Sequence, residues 1–243
     1  MAKIKTVRGI ENHKAVSQKE WLKARKQLLV KEKKFSKLRD ELNKQRRALP
    51  WVKIEKEYVF EGPNGQETLA DLFGKKSQLL VYHFMLGPGW GEGCSHCSFW
   101  ADHYDGITKH IGARDATFVV ISRAPLEEIM PFKKRMGWQF KWVSSNGTDF
   151  NFDLNVSFTP EQIKHGTAVY NYAPLNMDID EREGASAFYK DRKGDVYHTY
   201  STYARGIDLL NTTYNFIDLT AKGRNENPEH SQDWVRYHDQ YRG

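Results

Sequence analysis

The chain holds two cysteines in 243 residues, and they stand together as Cys94-Ser95-His96-Cys97 behind the apolar run Leu79 to Leu86. Two thiols at that spacing can close a small disulfide ring, open it again and pass an electron pair to another sulfur. A purely structural bond is the first alternative. Closing a loop of about four residues contributes only about 2 kcal/mol, against about 4 to 5 for a loop near a hundred residues. Zinc is the second alternative. Four ligands are usual, and the chain offers these two sulfurs plus histidines, of which His103 and His110 lie seven apart, outside finger spacing. Thiol redox chemistry is therefore the leading expectation, with no cofactor and no metal.

In a reactive pair the first cysteine is the exposed attacker at the start of a helix and the second resolves the mixed disulfide. That makes Cys94 the nucleophile and Cys97 the resolver. The partial positive charge and free amides of a helix N-terminus favour a thiolate at Cys94. A protonated His96 would add to this: a unit charge about 5 Å away at an effective dielectric near 20 is worth about 3 kcal/mol, or some 2 pKa units. A thiol lowered from about 8.5 to about 6.5 changes from about 3% to about 75% thiolate at pH 7. Gly87, Gly89, Gly91 and Gly93 alternate with Pro88, Trp90 and Glu92 just before the motif. Such glycines let a second chain approach closely, so Gly93 is a substrate-binding candidate and Trp90 a candidate apolar wall beside the attacking sulfur. Tyr82 and His83 point to opposite faces of their strand, and either can take the resolver's proton only if it reaches Cys97.

The elements that must hold this motif are legible in outline. Residues 1–50 carry 16 Lys or Arg and 5 Asp or Glu, a balance of +11, and residues 51–243 carry 21 and 26, a balance of −5. The arm alone is basic. It bears no zinc knuckle, RNA-binding sheet signature or basic zipper, so a solvated helix face is the simpler reading than a nucleic-acid surface. Ser17-Gln18-Lys19-Glu20 reads as a capping box. Trp21, Leu28, Phe35, Leu42 and Leu49 then recur every seventh residue until Pro50. That stripe can dock on the body or pair with the arm of a second copy as a homodimer.

From Glu57 the texture changes. Tyr58 to Thr68, with Gly62-Pro63-Asn64-Gly65 inside it, predicts a hairpin. Leu79 to Met85, Thr117 to Ser122 and Gln139 to Ser144 predict buried strands, joined by helices over Ser98 to Gly112 and Leu126 to Met136. Residues 145–184 show no period and predict a surface excursion. Ala185 to Lys190 and Val196 to Ser201 flank a turn and predict a second hairpin, followed by a helix over Gly206 to Tyr214. The expected organisation is an arm at 1–50, a body at 51–223 and a polar tail at 224–243 anchored by Trp234. No apolar run approaches the roughly 20 residues of a membrane span, and no signal-peptide core follows the basic start. The expected setting is cytoplasmic, where a Cys-x-x-Cys pair is more often catalytic than structural.

This order of elements resembles the thioredoxin fold, an α/β three-layer sandwich. The stretches Gly62 to Lys75 and Phe118 to Pro125 are similar to its peroxiredoxin branch. More specifically, Arg47 to Val52, Tyr82 to Trp90, Cys94 to Trp100, Arg135 to Trp138 and His198 to Gly206 resemble a bacterial thioredoxin-like family known as domain of unknown function 899. The resemblance implies a thiol-disulfide oxidoreductase acting on protein or small-molecule disulfides, without membrane or nucleic-acid partners. A peroxiredoxin-like peroxidase and a redox-controlled binding protein using the basic helix are the alternatives. Thioredoxins present substrate with a cis-proline before the terminal hairpin. Here Gly184-Ala185-Ser186-Ala187 takes that place without a proline, which makes Ser186 the corresponding substrate-binding candidate. The peroxiredoxin Pro-x-x-x-Thr/Ser-x-x-Cys segment is likewise altered, with Trp90 and Gly91 where its threonine would stand.

Overall fold

The computed structural model describes residues 13–227, 229 and 231–242, and the chain forms two compact units. One unit comprises the residues up to Pro50 with Phe216–Asn225, and the other comprises Trp51–Asn215 with the residues from Glu226 on.

The first unit is dominated by helix α1 (Gln18–Arg47). Its capping box is complete: Ser17 Oγ accepts from the Glu20 amide at 3.3 Å, and Glu20 Oε2 accepts from the Ser17 amide at 3.0 Å. The Ser17 hydroxyl, at 2.7 Å, and then the Ser17 amide donate to the Glu20 carboxylate and hold it below its ordinary range. No side chain of α1 is buried, and the heptad residues Trp21, Leu28, Phe35 and Leu42 all lie exposed. Among the described residues no helix is long and apolar enough to cross a membrane.

The second unit is built on a sheet of eight strands. In chain order its strands are β1 (Val52–Lys53), β2 (Val59–Gly62), β3 (Gly65–Thr68), β4 (Gln78–His83), β5 (Ala116–Ser122) and β6 (Lys141–Ser144). A separate two-stranded ribbon follows, β7 (Val169–Tyr170) and β8 (Ala173–Pro174), and then β9 (Gly184–Lys190) and β10 (Val196–Tyr203) complete the sheet. The spatial order is β1-β10-β9-β4-β5-β6-β2-β3. β4, β5 and β6 run parallel, β9 lies antiparallel on the other side of β4 with β10 antiparallel to β9, and the β2–β3 hairpin extends the far edge beyond β6. This is a thioredoxin-like α/β sheet, with the opening hairpin added at one edge.

Strand alternation divides the core into two faces. Tyr82 and Phe84 from the β4 segment and Val120 from β5 point to the face that also holds Cys97. Leu79 and Val81 from β4 and Val119 and Ile121 from β5 point to the other. Helices α2 (Ser95–Ala101) and α4 (Leu126–Arg135) cover the cysteine face; the turn Asp71–Phe73 and the short α5 (Phe150–Asp153) cover the opposite one. The result is three layers.

Two of the expected helices are corrected. The helix predicted over Ser98 to Gly112 is interrupted: α2 ends at Ala101, and a 3-10 turn at Asp105–Ile107 leads into α3 (Thr108–Gly112). Asp102 and Asp105 do not solvate an outer helix face. Asp102 accepts from Trp138 Nε1 at 2.8 Å, and Asp105 accepts from the Gln139 and Phe140 amides, so both side chains tie this segment to the approach to β6. The terminal helix also starts later, with a 3-10 stretch at Ala204–Leu210 before α7 (Thr212–Ile217).

The aperiodic stretch before β9 is also more than an excursion. It carries α5, α6 (Pro160–His165, with its own Thr159 capping box) and the β7–β8 ribbon. Val156, Phe158, Ala168, Tyr170 and Met177 pack with Tyr203 of β10 as a third small core. A polar clasp holds it beside the end of β5: the Arg123 guanidinium pairs with both Asp180 and Glu181, and Glu181 Oε2 accepts from Ser157 Oγ at 2.9 Å. Burial raises the Glu181 carboxyl to about 7 against the opposing pull of Arg123.

Because the folded value lies above the ordinary 4.5, the stability tied to Glu181 is whole below about pH 4.5 and is lost as pH rises through about 7. Urea melts at pH 5 and pH 8 should therefore show wild type losing on the order of 2 to 3 kcal/mol relative to Glu181→Gln across that window. An identical pH response in the two proteins would contradict this account of the clasp.

Candidate redox site

β4 delivers the chain to the site and the glycine-rich loop turns it. Beyond His83 the Phe84 amide still bonds to the Ile121 carbonyl at 3.0 Å, and Phe84, Met85 and Leu86 remain buried. The loop then reverses through Gly89 and Gly91, whose φ angles of 77° and 73° favour glycine. It comes back onto its own strand, since the Cys94 amide donates to the Met85 carbonyl at 3.0 Å. Trp90 is half-buried and folds over Gly87, where an added Cβ would lie 2.8 Å from the indole nitrogen. Gly93 is buried beneath two aromatic rings, and a Cβ there would lie 2.4 Å from Phe84 and 2.7 Å from Phe132. Its carbonyl accepts from Tyr237 Oη at 2.6 Å.

Cys94 is the N-cap of α2, and its carbonyl accepts from both the amide and the hydroxyl of Ser98. Cys94 is half-buried, whereas Cys97, one turn inside, is 2% exposed. Both are free thiols and lie 4.0 Å apart. Their environments push them in opposite directions. The Cys97 thiol and the backbone amides of Cys97 and His96 donate toward the Cys94 sulfur and lower its pKa, outweighing burial and the negative charge of Glu183. Burial drives Cys97 well above the ordinary thiol range, and its bond to Cys94 adds to this. The charge of the pair belongs on Cys94 and the proton on Cys97. The His96 ring is exposed, so what His96 gives the thiolate here is its backbone amide.

Ser186 lies elsewhere. It is buried on β9 and pairs with Val81, so its side chain joins the sheet face away from the cysteines. There its Oγ is 2.8 Å from His83 Nε2 and 2.7 Å from Ser201 Oγ, which in turn is 2.7 Å from His198 Nε2. Burial, then the neighbouring His198, lowers the His83 pKa to about 3, which keeps that imidazole neutral. Of the two β4 candidates, Tyr82 is the one on the cysteine face. Among the described residues no group of three or more His, Cys, Asp and Glu side chains is placed to hold a metal ion. The His103 ring is instead held by Thr213 and the Trp100 carbonyl.

Several site residues were not expected from the sequence. Glu183 immediately precedes Gly184, which pairs with His83, so antiparallel register sets it beside the chain leaving β4. Its charge opposes ionisation at Cys94, Cys97 and Tyr82. The segment after Glu226 returns to the loop. Val235 is buried in the cysteine-face core, Tyr237 holds Gly93, and Arg135 bridges Glu92 and Asp239 while stacking 4.9 Å from the Tyr237 ring.

The donor set at Cys94 gives a direct expectation for alkylation by iodoacetamide as a function of pH. Cys97→Ala removes the largest stabilising contact, so the midpoint for Cys94 should move up by about one unit, the share of one hydrogen bond to a charged group. His96→Ala keeps the amide and should leave the midpoint in place. A large upward move in His96→Ala would make the imidazole, not the amide, the operative group.

The chain is similar over part of its length to several solved peroxiredoxin structures. Peroxidoxin BcpB from Mycobacterium tuberculosis is 14% identical, with 69% of this chain and 96% of that one covered and a TM-score of 0.42. A peroxiredoxin Q mutant from Xanthomonas campestris is 11% identical, covering 64% and 87%, with a TM-score of 0.43. The mitochondrial 2-Cys peroxiredoxin from Plasmodium falciparum is 14% identical, covering 69% and 92%, with a TM-score of 0.42. No curated protein matches this chain. The family model described as "Bacterial protein of unknown function (DUF899)" matches residues 10–241, nearly the whole sequence, and the chain belongs to that family.

Proposed function

We propose that this protein is a thiol-disulfide oxidoreductase that cycles Cys94 and Cys97 between dithiol and disulfide. The observation that carries the reading is the opposed environment of two cysteines 4.0 Å apart, one favoured as thiolate at a helix start and the other buried and protonated. An inert pair has no need of that asymmetry.

The Cys94 thiolate attacks one sulfur of a disulfide substrate, forms the mixed disulfide and releases the other sulfur as a thiolate that takes a proton from solvent. Cys97 then attacks the Cys94 sulfur. Its proton ends on the second substrate thiol, two electrons have left the protein, and the Cys94–Cys97 disulfide remains. The same steps in reverse oxidise a dithiol. Substrate is a protein or small-molecule disulfide reaching Cys94 alongside Trp90 and the glycine loop. Stabilising the reduced form through the Cys94 thiolate makes the disulfide more oxidising.

Equilibrating the protein in glutathione or dithiothreitol buffers and counting free thiols by mass should give a reversible two-electron couple between about −180 and −300 mV. Cys94→Ser should abolish disulfide exchange while its melting temperature stays close to wild type. A pair that never closes, or full exchange activity in Cys94→Ser, would refute the reading. Peroxide consumption without disulfide exchange would assign Cys94 to peroxidase chemistry through a sulfenic acid instead.

A further inference from the structure

Two phenols stand behind the resolving sulfur, and the redox reading above gives neither of them a role. Tyr82 projects from β4 onto the cysteine face. Tyr104 comes from the break after α2, where its amide bonds back to the Ala101 carbonyl at 3.0 Å and its ring turns into the core. The two rings meet edge to face at 5.0 Å, and Tyr104 packs further on Phe118 at 4.8 Å. Tyr82 is 1% exposed and Tyr104 2%, and both belong to the same core as Cys97. Among the described residues neither hydroxyl has a hydrogen-bond partner in good geometry.

That is an unusual use of two buried polar groups. An enclosed hydroxyl without a partner is destabilising, and phenylalanine would fill the same space without that cost. The Tyr82 hydroxyl faces the Cys97 sulfur and the Tyr104 hydroxyl faces that of Tyr82, and a charge on Cys97 would raise both phenol pKa values after the larger effect of burial. A neutral thiol is a weak acceptor. A thiolate in a dry site is a strong one, and donors that go unmatched in the resting state then stabilise the charged state selectively.

Building on the oxidoreductase reading, we infer that Tyr82, with Tyr104 behind it, is a preplaced hydrogen-bond donor to the Cys97 sulfur that acts while Cys97 resolves the mixed disulfide. In the resting dithiol the Cys97 proton points toward Cys94. Once Cys94 is bonded to substrate it no longer accepts that proton, and Cys97 must develop negative charge to attack. Tyr82 Oη donates to that charge and Tyr104 Oη donates to Tyr82. Neither phenol is deprotonated. The new bond is Cys94–Cys97, the broken bond is Cys94–substrate, and the proton lost by Cys97 ends on the released substrate thiol.

Ellman's reagent separates the two steps in a stopped-flow experiment. Attack by Cys94 releases one thionitrobenzoate, and attack by Cys97 releases the second. In Tyr82→Phe the first phase should keep its rate, and the second should slow about tenfold, the factor carried by one hydrogen bond to a charged group. The pH profile of the second phase should move to higher pH. Tyr104→Phe should show the same pattern more weakly. Thermal stability of both variants should equal or exceed wild type, because the hydroxyls removed have no partner in the resting fold; a purely structural role predicts lower stability and no change in the second phase. An unchanged second phase in Tyr82→Phe would overturn the inference while leaving the redox reading intact. A wild-type protein that releases only one thionitrobenzoate would overturn the redox reading itself.

Discussion

The site depends on β4 being paired along both edges, parallel to β5 and antiparallel to β9. A strand held on two sides cannot slip, because a one-residue shift would exchange its faces. That constraint sends Tyr82 toward the cysteines and His83 away from them. It also fixes the point where the chain leaves the sheet, so that the Met85 carbonyl waits for the Cys94 amide. From that bond follow the N-cap position of Cys94, the burial of Cys97 one turn on, and the unequal solvation of their sulfurs.

The opposite face of the same strand carries a second set of buried polar groups. His83, Ser186, Ser201 and His198 form a chain of short contacts in which each hydroxyl has two neighbours. Buried polar groups are ordinarily satisfied in this way. The cysteine face lacks such closure around Tyr82 and Tyr104. Within a single sheet, the hydroxyls of one side are paired, with only His83 Nδ1 left over in that chain, and those of the other are left as unused donors beside a reactive sulfur.

Much of this was legible in the sequence, and what was not has physical reasons. The capping box at Ser17, the buried runs of β4 and β5 and the turn between β9 and β10 depend on local chemistry, and all stand near where residue patterns put them. The helix break at Asp102 to Tyr104 was not legible, since the carboxylates that enforce it are satisfied by Trp138 and the Gln139 and Phe140 amides, more than thirty residues away. The stretch before β9 looked formless because its small core is completed by Tyr203 from β10. Cys94 and Cys97 announced themselves by type and spacing. Glu183 did not, although pairing Gly184 with His83 would have set it at the end of β4. Ser186 was drawn toward the substrate by its place in the chain, whereas the strand's alternation turns it to the far face.

The contact between Tyr237 and Gly93 joins residues 144 positions apart. Contacts of such separation form late, because the entropy of closing the loop must be met before the contact returns anything. Helix α2 and its two sulfurs can assemble from neighbours in sequence, but the Gly93 carbonyl in front of them gains its donor only when the distant segment arrives. During folding there is thus an interval in which both thiols are more open than they will ever be in the finished protein. Maturation in a reducing medium protects that interval; an oxidising one gives Cys97, the sulfur the native fold hides, its one opportunity to bond to another molecule.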